Sequence, residues 1–210
     1  MRKEENVIKY YMLCNKLKNI TRTGWKKWNV KRERIESVAE HVYGVQQLAI
    51  AIYYEYKYTL DLNKVILMLS VHELEEVGIG DLTSFDITEE EKKNRGHLAI
   101  HKMLSEIIDA QDIEELIIEF DERKTKEAIF AYHCDKMEAN IQCKIYDQEN
   151  TVNIKEELSN PIFEDEYVKK VTQNKENRTW SDLWMAVDKE KFDDDVNFAA
   201  LWKYVNENNI

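Results

Sequence analysis

Residues 71–81 read Val-His-Glu-Leu-Glu-Glu-Val-Gly-Ile-Gly-Asp and follow directly on the apolar run Val65-Ile66-Leu67-Met68-Leu69. His72, Glu73, Glu76 and Asp81 thus place four chemically capable groups within ten residues. Side chains four apart share a helix face, so a helix over 63–77 projects His72 and Glu76 together. Val65, Met68, Leu69 and His72 continue one another at helical spacing, which turns that face inward. A lone histidine on such a face is as often a satisfied core residue as a ligand. The carboxylates beside it are what mark a site.

Outward from this stretch, period-2 alternation is nowhere sustained over a strand length. One proline and five glycines in 210 residues also argue against an all-β sandwich. The expected fold class is all-α. Lys and Arg number 30 against 41 Asp and Glu, for a net charge of −11, which opposes a nucleic-acid backbone as partner. No apolar run approaches the roughly 20 residues that cross a bilayer, and the N-terminus has no signal-peptide pattern. Cys14, Cys134 and Cys143 form no C-x-x-C pair, so neither a disulfide framework nor an extracellular setting is expected. A cytoplasmic location without membrane contact is the natural expectation.

Val7, Tyr10, Tyr11, Cys14 and Leu17 predict a first helix over 5–20, which Gly24 should end. Next comes a basic, aromatic loop: Arg22, Lys26, Lys27, Lys31, Arg32 and Arg34 with Trp25 and Trp28, opposed only by Glu33. It is the one place in an acidic chain that invites phosphate, although basic and aromatic residues interleaved can also bind single-stranded nucleic acid. Ser37-Val-Ala-Glu40 reads as a capping box opening a helix with Val38, Val42, Val45, Ala49 and Ile52 buried and His41 at the edge of that stripe. Thr88 to Glu91 reads as a second box, ahead of Ile100, Leu104, Ile107 and Ile108. A short helix near 112–120 precedes a long one over 124–148, whose inner face carries Ala128, Tyr132, Asp135, Ala139 and Cys143. Pro161 marks a turn, and helices bearing Trp180, Trp184, Phe198 and Trp202 close the chain.

A carboxylate on an apolar stripe, as at Asp135, must be paired or ligate a metal, or else cost several kcal/mol, roughly, in desolvation. His41, His72 with Glu73, and Asp135 together offer two imidazoles and two carboxylates from three helices. That donor set suits one divalent transition ion (Mn, Co, Fe, Ni or Zn) better than Ca or Mg. Such an ion activates water and polarises a phosphoryl oxygen, with Glu76 and Asp81 close by for proton transfer.

The segments Glu-Ser-Val-Ala-Glu-His41, His72-Glu-Leu-Glu-Glu-Val-Gly-Ile-Gly-Asp81 and Cys134-Asp-Lys-Met-Glu-Ala-Asn-Ile-Gln-Cys143 resemble the ordered motifs of the HD-domain phosphohydrolases. Within them the chain is similar to the 5'-deoxynucleotidase branch, which also has an Arg-Thr-Gly-Trp segment ahead of the first histidine. The resemblance covers roughly residues 8–148. It implies a helical bundle core over 1–150, with 151–210 as a helical extension packed on it, and a homodimer. It also implies metal ligation by His41, His72, Glu73 and Asp135, catalysis by Glu76 and Asp81, phosphate contact by Arg22, and a nucleoside pocket shaped by Trp25. The implied activity is metal-dependent hydrolysis of (deoxy)nucleoside 5'-monophosphates. One residue departs from the family pattern: Glu73 stands where aspartate is usual, and its extra methylene makes a non-catalytic nucleotide- or partner-binding protein the alternative.

Overall fold

Helix boundaries in this chain follow its capping residues. The computed structural model describes residues 2–83, 85–105, 107, 110–157, 160–165, 168–169 and 179–210. Among them the architecture is all-α, with a single isolated antiparallel bridge between Thr21 and Ser37. The elements are α1 (Lys3–Asn15), α2 (Thr23–Lys27), α3 (Val38–Tyr56), α4 (Leu62–Val71), α5 (Glu76–Ile79), α6 (Glu89–Leu104), α7 (Gln111–Glu122), α8 (Lys126–Gln148), α9 (Trp180–Asp188) and α10 (Val196–Glu207). Short 3-10 turns cover Lys16–Asn19, Pro161–Glu164 and Lys189–Phe192. No helix among the described residues is long and apolar enough to cross a membrane.

The chain divides into two compact units, residues 1–23 with 36–132, and residues 24–35 with 133–210. In the first unit, Ser37 and Glu40 form the expected capping box: the Ser37 hydroxyl accepts from the Glu40 amide while the Glu40 carboxylate accepts from the Ser37 amide. Asp61 caps α4 in the same way through the Lys64 amide at 3.2 Å. The start of α8 is tied to that turn, because Glu127 accepts from the Asp61 amide at 3.0 Å and Lys126 donates to the Thr59 carbonyl at 2.7 Å. The apolar core gathers Leu13, Leu17, Val38, Val71, Leu74, Ile100, Leu104 and Ile117.

The second unit has its own core, built on aromatic rings. Trp25 packs on Tyr146, Trp180 and Trp184, with Trp28 against Trp180 and Phe163. Part of the basic loop meets acids here: Lys31 pairs with Glu156 at 2.9 Å, and Arg32 pairs with Glu149 at 2.9 Å while lying over the Tyr146 ring.

Three expectations change. The helix expected over 63–77 ends at Val71, and four turn residues separate it from α5. Gly24 lies inside α2 rather than ending α1; the chain leaves its helical path earlier, at Ile20, which is extended. In α3 the buried stripe runs Val38, His41, Val45, Ala49, Ile52, so His41 takes the place expected of Val42. Ile108 lies outside the described residues. Since the Ser37 box satisfies two of the orphan donors of α3, Ser37→Ala should lower unfolding free energy by about 1 kcal/mol, read as a shift of the urea midpoint at unchanged slope.

A histidine, carboxylate and cation cluster in the first unit

The break after α4 shapes the site. Leu74, Glu76 and Val77 donate their amides to the carbonyls of Val71, Glu73 and Leu74 at 2.9–3.2 Å, the tight three-residue spacing of a 3-10 turn. That tightening buries His72, Glu73 and Glu76 together. His41 arrives from the first turn of α3 and is 0% exposed. One ligand atom each from His41, His72 and Glu73 lies within 4.8 Å of the others.

Their geometry fits a metal ion. His72 Nδ1 is 2.8 Å from the Leu69 carbonyl, an acceptor that can only be met by an N–H, so the lone pair of that ring is on Nε2. Both Nε2 atoms stand 3.7 Å from Glu73 Oε1. That is slightly beyond hydrogen-bonding range and close to the separation of about 3–3.5 Å that ligand atoms adopt when each lies about 2.0–2.2 Å from a shared ion. The extra methylene of Glu73 therefore brings its carboxylate to where both imidazoles converge.

Arg22 reaches the same oxygen, with Nη1 3.2 Å from Glu73 Oε1. The Thr21–Ser37 bridge puts it there: the Val38 amide donates to Ile20 and the Arg22 amide to Glu36, at 2.8 and 3.1 Å. Burial opposes the Arg22 charge, but Glu73, Asp81, Glu76 and Glu36 outweigh it and hold its pKa above the ordinary value. Asp81 accepts a hydrogen bond from the Thr23 amide, the next residue along. It is aimed by Gly80, whose φ of 79° and ψ of 166° belong to a region that glycine alone occupies without strain.

Burial, then the charges of Glu73 and Asp81, raise the Glu76 pKa well above the usual carboxylate range, with Lys92 pulling it back. Lys92 Nζ is 3.3 Å from Glu76 Oε1. Glu75, half-buried and beside Glu73, is raised for the same first reason, desolvation of its carboxyl group. Lys92 and Glu75 were not anticipated: Lys92 sits in the charged run Glu89-Glu-Glu-Lys-Lys-Asn-Arg, which reads as a solvated helix face.

The remaining candidates lie in the second unit. Asp135 is 4% exposed on α8, three residues past Tyr132, with Oδ2 2.8 Å from Lys136 Nζ. Trp25 is 1% exposed within the aromatic core, a ring committed to packing.

The chain matches the HD domain family model over residues 14–180. It is 32% identical over 152 residues to 5'-deoxynucleotidase HDDC2 of Dictyostelium discoideum, covering 69% of this chain and 79% of that protein. It is 26% identical over 145 residues to the human protein of the same name, covering 68% and 69%. A crystal structure of a Pyrococcus horikoshii protein superposes with a TM-score of 0.59 at 22% identity, over 86% of this chain and 97% of that one.

Glu75 yields a pH prediction. Its folded pKa is raised, so between the unfolded value of about 4.3 and the folded one the native state holds the extra proton. Stability is then full below the unfolded value and declines as pH rises through that window. In metal-free protein Glu75→Gln should flatten this decline, so that urea midpoints at pH 5 and pH 8 differ less than in wild type. Separately, Gly80→Ala should cost about 1–3 kcal/mol by the same measurement.

Proposed function

The chain belongs to the HD domain family and is a hydrolase, and from that premise we propose that it is a metal-dependent phosphomonoesterase acting on (deoxy)nucleoside 5'-monophosphates. The observation that carries this reading is the meeting of His41, His72 and Glu73 with Arg22, Glu76 and Asp81 in one unit. In it His41, His72 and Glu73 hold a divalent transition ion with Asp135 as the fourth ligand, the last taken from the family resemblance. The ion, when bound, supplies Lewis-acid polarisation of a phosphoryl oxygen and an acidified water. The deoxynucleotide class follows the names of the relatives.

The chain's own groups then have distinct tasks. Arg22 binds phosphate oxygens, two at once through its planar fork, and its charge is secure among the surrounding carboxylates. Hydrolysis forms one P–O bond from water and breaks the bond to the 5'-oxygen, which must gain a proton as it leaves. Glu76, with its raised pKa, is the group suited to carry that proton. Asp81, anchored by the Thr23 amide, is the partner that accepts a proton from the attacking water. Trp25 packs in the aromatic core of the second unit.

The direct test is release of inorganic phosphate from a panel of nucleoside and deoxynucleoside 5'-monophosphates by protein loaded with Mn or Co. Turnover abolished by a chelator and restored by the metal supports the reading; folded, metal-loaded protein that turns over none of the panel overturns it. Arg22→Lys should lower kcat/KM about ten- to hundredfold, the worth of one charge-assisted hydrogen bond to phosphate. His41→Ala should abolish the rise in melting temperature that added metal gives wild type.

A further inference from the structure

Lys92 reaches Glu76 because of the face of α6 on which it stands. Lys92, Gly96, Ala99 and Met103 are spaced four, three and four apart, one face of a helix. That face lies against the residues leading into and through α5. A Cβ placed on Gly78 would be 3.1 Å from the Ala99 Cβ and 3.4 Å from Met103. A Cβ on Gly96 would be 2.9 Å from Glu75 Cγ, closer than side-chain carbons approach. Glycine at both contact positions allows this approach, Gly96 most strictly. One turn along the same face, Lys92 extends its amine to Glu76 Oε1 at 3.3 Å, the side chain being 30% exposed and that of Glu76 0%.

A lysine ammonium has three donors and no acceptor. An oxygen that receives it cannot also carry a proton pointed at it. The amine therefore holds Glu76 by Oε1, on a buried carboxyl group that Glu73 also acts on.

We propose that Lys92 is a positioning residue for Glu76, holding its carboxyl group through Oε1 in the orientation used in turnover. The inference rests on the phosphomonoesterase reading, in which Glu76 takes part in the reaction. It assigns Lys92 a role in turnover and none in holding phosphate, which falls to Arg22.

The experiment compares wild type, Lys92→Met, Lys92→Arg, Gly96→Ala, Glu76→Gln and the Glu76→Gln/Lys92→Met double variant, all metal-loaded, with one deoxynucleoside 5'-monophosphate that wild type hydrolyses. General acid catalysis is worth about 10²–10⁴ in rate, and losing its alignment should remove part of that. Lys92→Met is expected to lower kcat about ten- to hundredfold while KM stays within about threefold. Lys92→Arg, which keeps a donor and a charge, should restore most of the loss. Gly96→Ala, which pushes α6 off Glu75 without touching a charge, should lower kcat in the same way. In the Glu76→Gln background Lys92→Met should have no further effect, because Lys92 acts through Glu76. A rise in KM at unchanged kcat would make Lys92 a phosphate ligand and overturn the proposal, as would equal losses from Lys92→Met with and without Glu76. A fall in melting temperature with kcat per folded molecule intact would assign Lys92 to stability alone, also against it. Wild type inactive on every nucleotide would overturn the phosphomonoesterase reading itself, a result distinct from active wild type with an equally active Lys92→Met.

Discussion

The burial of acidic charge between residues 73 and 81 is the constraint that the first unit is built to meet. Glu73, Glu75 and Glu76 come within four residues, Glu73 and Glu76 buried and Glu75 half-buried. An ion taken out of water costs several kcal/mol, roughly, even after relaxation, and removing one partner of a buried pair costs about 3–5 kcal/mol. Two cations offset this, and each is delivered by a separate device. Arg22 comes on an extended segment held by the Thr21–Ser37 bridge, and Lys92 comes on a helix admitted by glycines. Neither device has a core-packing rationale of its own. Both make sense as ways to bring positive charge to carboxylates that the fold keeps inside.

The tightened turn after α4 follows from the same constraint. In a continuous α-helix, residues three apart are offset around the axis, whereas in a 3-10 turn they eclipse. The i to i−3 bonds through residues 71–77 therefore align Glu73 with Glu76, in place of the His72 and Glu76 pairing that α-helical spacing suggests. Alignment of two carboxylates has an electrostatic consequence, since like charges at close range disfavour ionisation. Glu73 is the largest charge acting on Glu76 after burial itself. A carboxyl group with a raised pKa thus arises from burial and backbone geometry, at the place where the apolar run ends.

Much of this was legible in the sequence, because it was written in local chemistry. Ser37 and Glu40 announce the start of α3 through a hydrogen-bond pattern four residues long, and the absence of alternation excludes sheet. His41, His72, Glu73, Glu76 and Arg22 stand out because ionisable groups on or beside apolar runs need a reason to be there. What failed were inferences that assumed regular helix beyond its support. No propensity marks the end of α4 at Val71, since His72 to Glu75 are ordinary helix formers; burial of their carboxylates decides it. Trp25 reads equally well as a base-stacking surface or a core residue from its neighbours in sequence. Only Tyr146, Trp180 and Trp184, more than 120 residues away in the chain, close around it.

Lys92 is the case where sequence reasoning had least to work with. A lysine in a run of charges is solvated by default, and a long flexible side chain carries no periodicity of its own. What distinguishes it is the pair of small residues following it at helical spacing, Gly96 and Ala99. Small residues on one face let a neighbouring backbone approach, and a helix interior gives up about 1 kcal/mol for each glycine relative to alanine. At Gly78 and Gly96 an added Cβ would lie 3.1 Å and 2.9 Å from side-chain atoms of the facing element, so a larger residue forces the two to give way. Glycine at both gives up helix stability for a close approach. That exchange is explained if the approach itself matters: it is what lets an amine anchored on one helix grip a buried carboxylate on another.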